Sequence, residues 1–171
     1  MKQDERVAQI MVVDDDPDTL SILVRCIRRE GFAALEVPSG AECLRLVKQH
    51  PPDVILLDLM MPDMDGFAVC RALQADPATA EIPLIMMTAR DDMDARAEGI
   101  EVGLSDFIAK PVMRGELAAR IQAHLDILAA GRTNFATLHQ LERLKLNGGR
   151  KHSRYPHKGF LQRAPFTYFG K

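Results

Sequence analysis

Cysteine is scarce in this chain. The three that occur, Cys26, Cys43 and Cys70, are scattered, odd in number and without the paired spacing of a metal-ligand set. That excludes a disulfide framework and a cysteine-held metal. Each falls in a helical pattern, where a buried free thiol is the expectation, and the compartment expected is reducing cytosol. No apolar stretch is long enough to span a bilayer, and the charged opening Met1-Lys2-Gln3-Asp4-Glu5-Arg6 lacks the profile of a secretory leader. A cytoplasmic location is therefore expected. Internal repeats are missing, and so is any helix-turn-helix pattern.

At 171 residues, 47% hydrophobic and 27% charged, the chain is sized for one ordinary domain and an appendage. Its net charge of −2 is unevenly spread. From Gly131 onward there are nine Lys and Arg against one acidic residue, Glu142, a net +8 that leaves −10 for residues 1–130. Two units are expected: an acidic body over 1–130 and a basic tail over 131–171. Within the tail, Thr137–Leu146 is partly helical in pattern. Beyond Asn147-Gly148-Gly149 the segment from Arg150 to Lys158 reads as exposed and flexible.

Residues 9–128 alternate between short apolar runs and amphipathic stretches. Strands are predicted at Ile10–Val13, Ala33–Val37, Val54–Leu57, Leu84–Met87 and Phe107–Ala109, with helices near 17–30, 40–49, 65–75, 92–102 and 113–128. Leu20, Leu23, Val24 and Ile27 mark one face of the first helix. Asp16 is placed to cap it, Pro17 suits its first turn, and Gly31 suits its end. Ser39 with Glu42 makes a capping box for the second helix, and Pro51-Pro52 ends it. Asp63 and Asp65 suit the turn before the third helix and its cap, with Gly66 beside them. Five strand–helix pairs in about 120 residues predict an α/β fold with a doubly wound, mostly parallel sheet.

The strand ends carry the chemistry. Asp14-Asp15-Asp16 follows the first run, Asp58 the third, Thr88 the fourth and Lys110 the fifth. Ligands bind at that edge of an open parallel sheet. Three carboxylates, a hydroxyl and an ammonium gathered there suit a divalent cation and a phosphoryl group. Taken one at a time, each has a plainer reading: a solvated turn, a capping hydroxyl, a surface lysine. Their order, each at a strand end, is what outweighs those readings.

Five separated motifs, Val12-Val13-Asp14-Asp15-Asp16-Pro17, Leu57-Asp58 through Asp65-Gly66, Met87-Thr88-Ala89, Asp106-Phe107 and Lys110-Pro111, resemble those of response-regulator receiver domains of two-component signalling, chemotaxis regulators among them. The resemblance covers about residues 7–128. It implies a flavodoxin-like five-stranded parallel sheet in the order 2-1-3-4-5, flanked by five helices. It further implies that Asp58 is the phosphoacceptor and that Mg²⁺ is held by Asp15 directly, by Asp14 through water, by Asp58 and by the backbone carbonyl of Met60. Thr88 would bond the phosphoryl oxygen and Lys110 would pair with it. Phe107 holds the aromatic switch position, and Lys110-Pro111 is a site for a cis peptide bond. The implied partners are a histidine kinase or phosphotransfer protein and an output partner of unknown identity. No enzyme is implied beyond self-phosphorylation and autodephosphorylation, and the latter is expected to be slow, because Met60, two residues beyond Asp58, cannot orient a water by hydrogen bonding; Arg90 stands two residues beyond Thr88. The surface that would change is the fourth helix, fifth strand and fifth helix.

Some positions depart from the pattern of the DNA-binding subfamily that dimerises through that surface. Gly115 stands where Arg is usual and Ser105 where Asp is common, although Asp106 and Arg120 are in place. A monomer or weak dimer is expected. Leu117, Ile121, Leu125 and Leu128 predict a long final helix.

Two other readings compete. The tail mixes Lys and Arg with Tyr155, Phe160, Phe166, Tyr168 and Phe169, which suits phosphate contacts and base stacking, so a nucleic-acid-binding regulator acting through the tail is one alternative. Its 41 residues are too few for a winged-helix domain, and a linker to a missing output domain is the plainer reading. The other alternative is a haloacid-dehalogenase-type phosphatase, whose first motif Asp14-Asp15-Asp16-Pro17-Asp18 half fits. That reading leaves Asp58 without a role.

Overall fold

Alternation along the strands is what organises this molecule. In the computed structural model, which describes residues 6–89, 98–99 and 101–147 with side chains through residue 131, five strands pair in parallel in the order β2-β1-β3-β4-β5. The strands are β1 (Gln9–Val13), β2 (Ala33–Val37), β3 (Val54–Asp58), β4 (Leu84–Ala89) and β5 (Asp106–Lys110). Four helices are described: α1 (Pro17–Arg29), α2 (Gly40–Gln49), α3 (Gly66–Ala75) and α4 (Arg114–Asn147). The fold is the doubly wound, flavodoxin-like α/β arrangement. Of the helix expected near 92–102, positions 98, 99 and 101 are helical; residues 92–97 and 100 lie outside the described residues, as do Arg90 and the tail beyond 147.

Successive strand residues point to opposite faces. Met11 and Val13, Ile55 and Leu57, and Leu84 and Met86 join Cys43, Val47, Phe67, Cys70 and Leu73 in one apolar layer under α2 and α3. Ile10 and Val12, Val54 and Leu56, and Ile85 and Met87 join Leu20, Leu23, Val24, Ile27, Leu117 and Ile121 in a second layer under α1 and α4. Strands buried on both faces read as continuous apolar runs, as parallel strands do.

Local signals account for the helix starts. Asp16 caps α1, its carboxylate accepting from the amides of Asp18 at 3.3 Å and Thr19 at 3.1 Å. Asp65 caps α3 through Ala68 N–H at 2.7 Å. Half of the predicted capping box forms: Ser39 Oγ accepts from Glu42 N–H at 3.2 Å. Glu42 itself turns to Arg45, whose Nε donates to it at 2.8 Å, because a guanidinium one turn away offers a charged partner.

Three expectations need correction. Strands β3, β4 and β5 extend past their apolar runs to take in Asp58, Thr88 and Lys110, because parallel pairing continues through Asp58↔Met87, Thr88↔Ala109 and Ala89↔Lys110. The last helix does not stop near 128 but runs to Asn147. Among the cysteines, Cys43 and Cys70 are buried whereas Cys26 is only partly so. Burial pushes the Cys43 thiol up to about 12 and the Cys70 thiol to about 11, values at which neither is a nucleophile.

The chain divides into two units, Met1–Thr133 and Asn134–Lys171, and the sheet with every candidate site residue lies in the first. Among the described residues no helix is long and apolar enough to cross a membrane.

Candidate functional site

The C-terminal edge of the sheet brings Asp14, Asp15 and Asp58 together. Their carboxylate oxygens lie within 4.8 Å of one another, with Asp15 exposed and the other two buried. Asp14 follows the last residue of β1 and is held there by its own N–H, which donates to Val37 O at 3.2 Å. Its Oδ1 accepts from Asp16 N–H at 2.9 Å. Asp58 ends β3. The chain behind it returns immediately, Leu59 N–H bonding Met87 O at 3.1 Å and Gly66 N–H bonding Leu59 O at 2.9 Å.

Lys110, at the end of β5, reaches across β4 to this cluster. Its Nζ lies 2.7 Å from Asp58 Oδ1 and 3.3 Å from Asp14 Oδ2. Asp14 is 1% and Asp58 4% exposed, so two carboxylates share one ammonium in a place where water contributes little. Burial pushes the Asp58 carboxyl above its ordinary range, and the charge of Asp14 adds to that; Lys110 and the Met60 amide oppose it without prevailing. For Lys110 burial acts downward, but its bonds and charge pairing with Asp58 and Asp14 outweigh it and raise its value. The Lys110-Pro111 bond is cis.

Thr88 is buried on β4, yet its hydroxyl donates to Ala89 O at 2.8 Å and not to Asp58. Parity places it on the α2–α3 face of the sheet, since Met86 two residues earlier lies there. Phe107 packs on the same face, and Met86 is its partner across the β4–β5 pair. Thr88 and Phe107 are therefore diagonal neighbours on one surface. The Met60 side chain is 77% exposed.

At the other end of β5 from Lys110, β5 and α4 are joined by a network that the motifs did not reveal in full. Arg120 donates to Asp106 at 2.8 Å and to Glu116 at 2.9 Å, and His124 Nε2 lies 3.4 Å from the other Asp106 oxygen. Burial acts upward on Asp106, but the Phe107 amide together with Arg120 outweighs it and holds the carboxyl below its usual range. His124 escaped the motif reading; its place one helical turn beyond Arg120 was the available signal.

A set of three oxygen-donor carboxylates with an adjacent ammonium can hold a hard divalent cation and place a nucleophilic carboxylate against an anionic group. Residues 10–122 match the family model of the response regulator receiver domain. The DNA-binding response regulator MtrA of Mycolicibacterium smegmatis is 41% identical over 117 residues, 68% of this chain and 50% of that protein. The transcriptional regulatory protein PrrA of Mycobacterium tuberculosis is 40% identical over 117 residues, 68% of this chain and 49% of that one. The chain thus spans about half the length of the curated relatives it matches. Among solved structures, the receiver domain of the sensor histidine kinase PA1611 from Pseudomonas aeruginosa, with a magnesium ion coordinated in its active-site cleft, superposes with a TM-score of 0.65. It is 27% identical, over 70% of this chain and 98% of that one.

Proposed function

We propose, starting from the fact that the chain belongs to the response regulator receiver family, that it is the phosphorylation-operated switch of a two-component system, with Asp58 as phosphoacceptor. The donor is a histidine kinase or a phosphotransfer protein. The observation that carries this reading is the buried Asp58 carboxylate within reach of Asp14, Asp15 and the Lys110 ammonium.

The chemistry asks little of the protein beyond positioning and charge. An oxygen of Asp58 attacks phosphorus, the P–N bond to the donor histidine breaks, and its electron pair stays on the imidazole nitrogen. Asp58 becomes an acyl phosphate. Lys110 holds the incoming oxygens with the ammonium that now bridges Asp14 and Asp58. The all-oxygen donor set fits Mg²⁺: Asp15 would bind it directly, Asp14 through water, with Asp58 and the Met60 carbonyl completing the protein's share. When bound, Mg²⁺ supplies neutralisation of the negative charge gathered there. The cell compartment that goes with this chemistry is the cytoplasm, and the protein acts on no separate substrate.

A dianionic group on Asp58 gives the Thr88 hydroxyl a stronger acceptor than the Ala89 carbonyl. Thr88 then turns toward Asp58, and Phe107, its diagonal neighbour, repacks. The switch is a shift between two packings, driven by contacts that only the phosphorylated state makes. The altered surface lies on β5, α4 and the helix that ends before β5. Because one relative is named a DNA-binding response regulator and another a transcriptional regulatory protein, a nucleic-acid output for the whole protein is the second element of this reading, with residues 131–171 carrying it or leading to it. DNA binding compared with and without that segment tests this.

Intact-mass spectrometry after incubation with Mg²⁺ and acetyl phosphate tests the switch chemistry. One added phosphoryl group in the wild type and none in Asp58→Ala is the expected result. No gain, either from active acetyl phosphate or from a phosphorylated phosphotransfer protein, overturns the reading.

A further inference from the structure

Two helix ends in this molecule are closed by the same backbone device, and one of them breaks its side-chain rule. At the end of α1, Phe32 N–H donates to Ile27 O at 3.3 Å and Gly31 N–H to Arg28 O at 3.1 Å, with Gly31 at φ +90°. This is a Schellman closure, in which an apolar residue in the last turn packs on the residue after the left-handed one. Ile27 and Phe32 obey it, both belonging to the α1–α4 apolar layer. The helix end before β5 has the same outer closing bond and the same left-handed glycine. Val102 N–H donates to Glu98 O at 3.0 Å, Leu104 N–H donates to Gly99 O at 2.9 Å, and Gly103 is at φ +81°. Here the position equivalent to Ile27 is Gly99.

Glycine inside a helix is destabilising relative to alanine. Gly99 is helical and has no positive φ to require it. The space around it does require it. A Cβ built on Gly99 would sit 2.2 Å from Phe107 Cζ, 2.9 Å from Phe107 Cε2 and 3.2 Å from Leu104 Cδ2. The tip of the Phe107 ring fills the volume that a side chain at 99 would take, and it lies where that side chain would meet Leu104. A ring moves as a rigid unit about two bonds, so it cannot yield at its tip alone.

We propose that Gly99 is a positioning residue for the switch: its missing side chain is the seat of the Phe107 ring in this packing, and filling the seat expels the ring without a phosphoryl group. The consequence for signalling rests on the reading of Phe107 as the switch aromatic given above; the seat itself does not. Because Phe107 shares a sheet face with Thr88, unseating it biases the element that the phosphoryl group addresses through Thr88.

The test is made on the full chain, unphosphorylated, with ring-¹³C-labelled phenylalanine, the Phe107 signal being assigned by its loss in Phe107→Leu. Gly99→Ala is expected to move the Phe107 ring signal while leaving those of the other phenylalanines in place. A double-mutant cycle by urea unfolding supplies the second readout. Gly99→Ala lowers stability when Phe107 is present and raises it, through helix propensity, in Phe107→Ala. The expected coupling is roughly fivefold or more in the unfolding equilibrium constant. An unmoved ring signal, or the same loss of stability in both backgrounds, overturns the proposal. The phosphoryl mass gain is measured on the same samples. If it is absent while the ring moves and the cycle couples, the switch reading falls and the seat stands; if it is present with no ring movement and no coupling, the seat falls alone.

Discussion

Paired with the Lys110 ammonium that it shares with Asp14, the Asp58 carboxylate holds its charge where there is little water to solvate it, and burial raises its pKa. A carboxyl with a folded-state value above its unfolded one is disfavoured as the anion by folding. The full penalty is present above the folded value, shrinks as pH falls through it, and is gone below the ordinary value of 3.8. Asp58→Asn removes that charge while leaving Lys110 its contact with Asp14 at 3.3 Å. The variant is expected to accept no phosphoryl group and yet to unfold at higher urea than the wild type at pH 7, with the advantage fading as pH is lowered toward 4. Urea midpoints across that range check the sign. Met60 belongs to the same scale. Its exposed thioether lies two residues beyond Asp58, the proposed acceptor, and cannot orient a water by hydrogen bonding. Met60→Gln is expected to shorten the life of the acyl phosphate several-fold, measured by loss of the phosphoryl mass with time; an unchanged lifetime would show that this side chain has no part in it.

Among the elements, the turn from β3 into α3 shows how a strand end and a helix start are made to share one site. Asp65 caps α3, and Gly66, the first helical residue, approaches the strand so closely that a Cβ there would lie 2.7 Å from Asp58 O and 3.0 Å from Leu59 Cα. Both obstacles are backbone, so relief must come by moving the strand end that carries Asp58. Gly66→Ala is expected to cost about 1–3 kcal/mol, the range for overpacking, and to slow phosphorylation by acetyl phosphate beyond what the lost stability explains. Denaturation and phosphorylation kinetics on one preparation separate the two effects. The cap at Asp65 was legible in the chain because an acidic residue before an apolar helical pattern has few other uses. Glu42 was half legible, since Arg45 competes for it and one-dimensional spacing does not rank two nearby partners.

For the whole molecule, the cluster of carboxylates makes stability depend on what binds it. A ligand that binds only the folded state stabilises it by about 2.7 kcal/mol at a hundred times its dissociation constant. Mg²⁺ is accordingly expected to raise the melting temperature of the wild type and to leave that of Asp15→Asn unchanged, since Asp15 is the exposed member of the cluster and its loss should not disturb the core. Calorimetry with and without chelator reads this directly, and equal responses from the two proteins would remove Asp15 from the metal's ligands.

The chain order and type of the five strands and of α1 to α3, the buried face of α1, and the caps at Asp16 and Asp65 were written in the sequence. Each depends on the pattern along the chain: short unbroken apolar runs for strands, a spacing of three to four in helices, one polar residue before a helix start. The motifs also placed Asp14, Asp15, Asp58, Thr88 and Lys110 at strand ends, because parallel strands all deliver their last residues to one edge. Contacts across the sheet were decided only in three dimensions. The Lys110 ammonium shared between Asp14 and Asp58, the Thr88 hydroxyl turned to its neighbour's carbonyl, His124 beside Asp106, and the Phe107 ring in the place of a side chain at Gly99 all join residues brought together by strand order or helix packing. Their distances follow from how two layers close around the sheet, and a linear pattern carries no record of that closure.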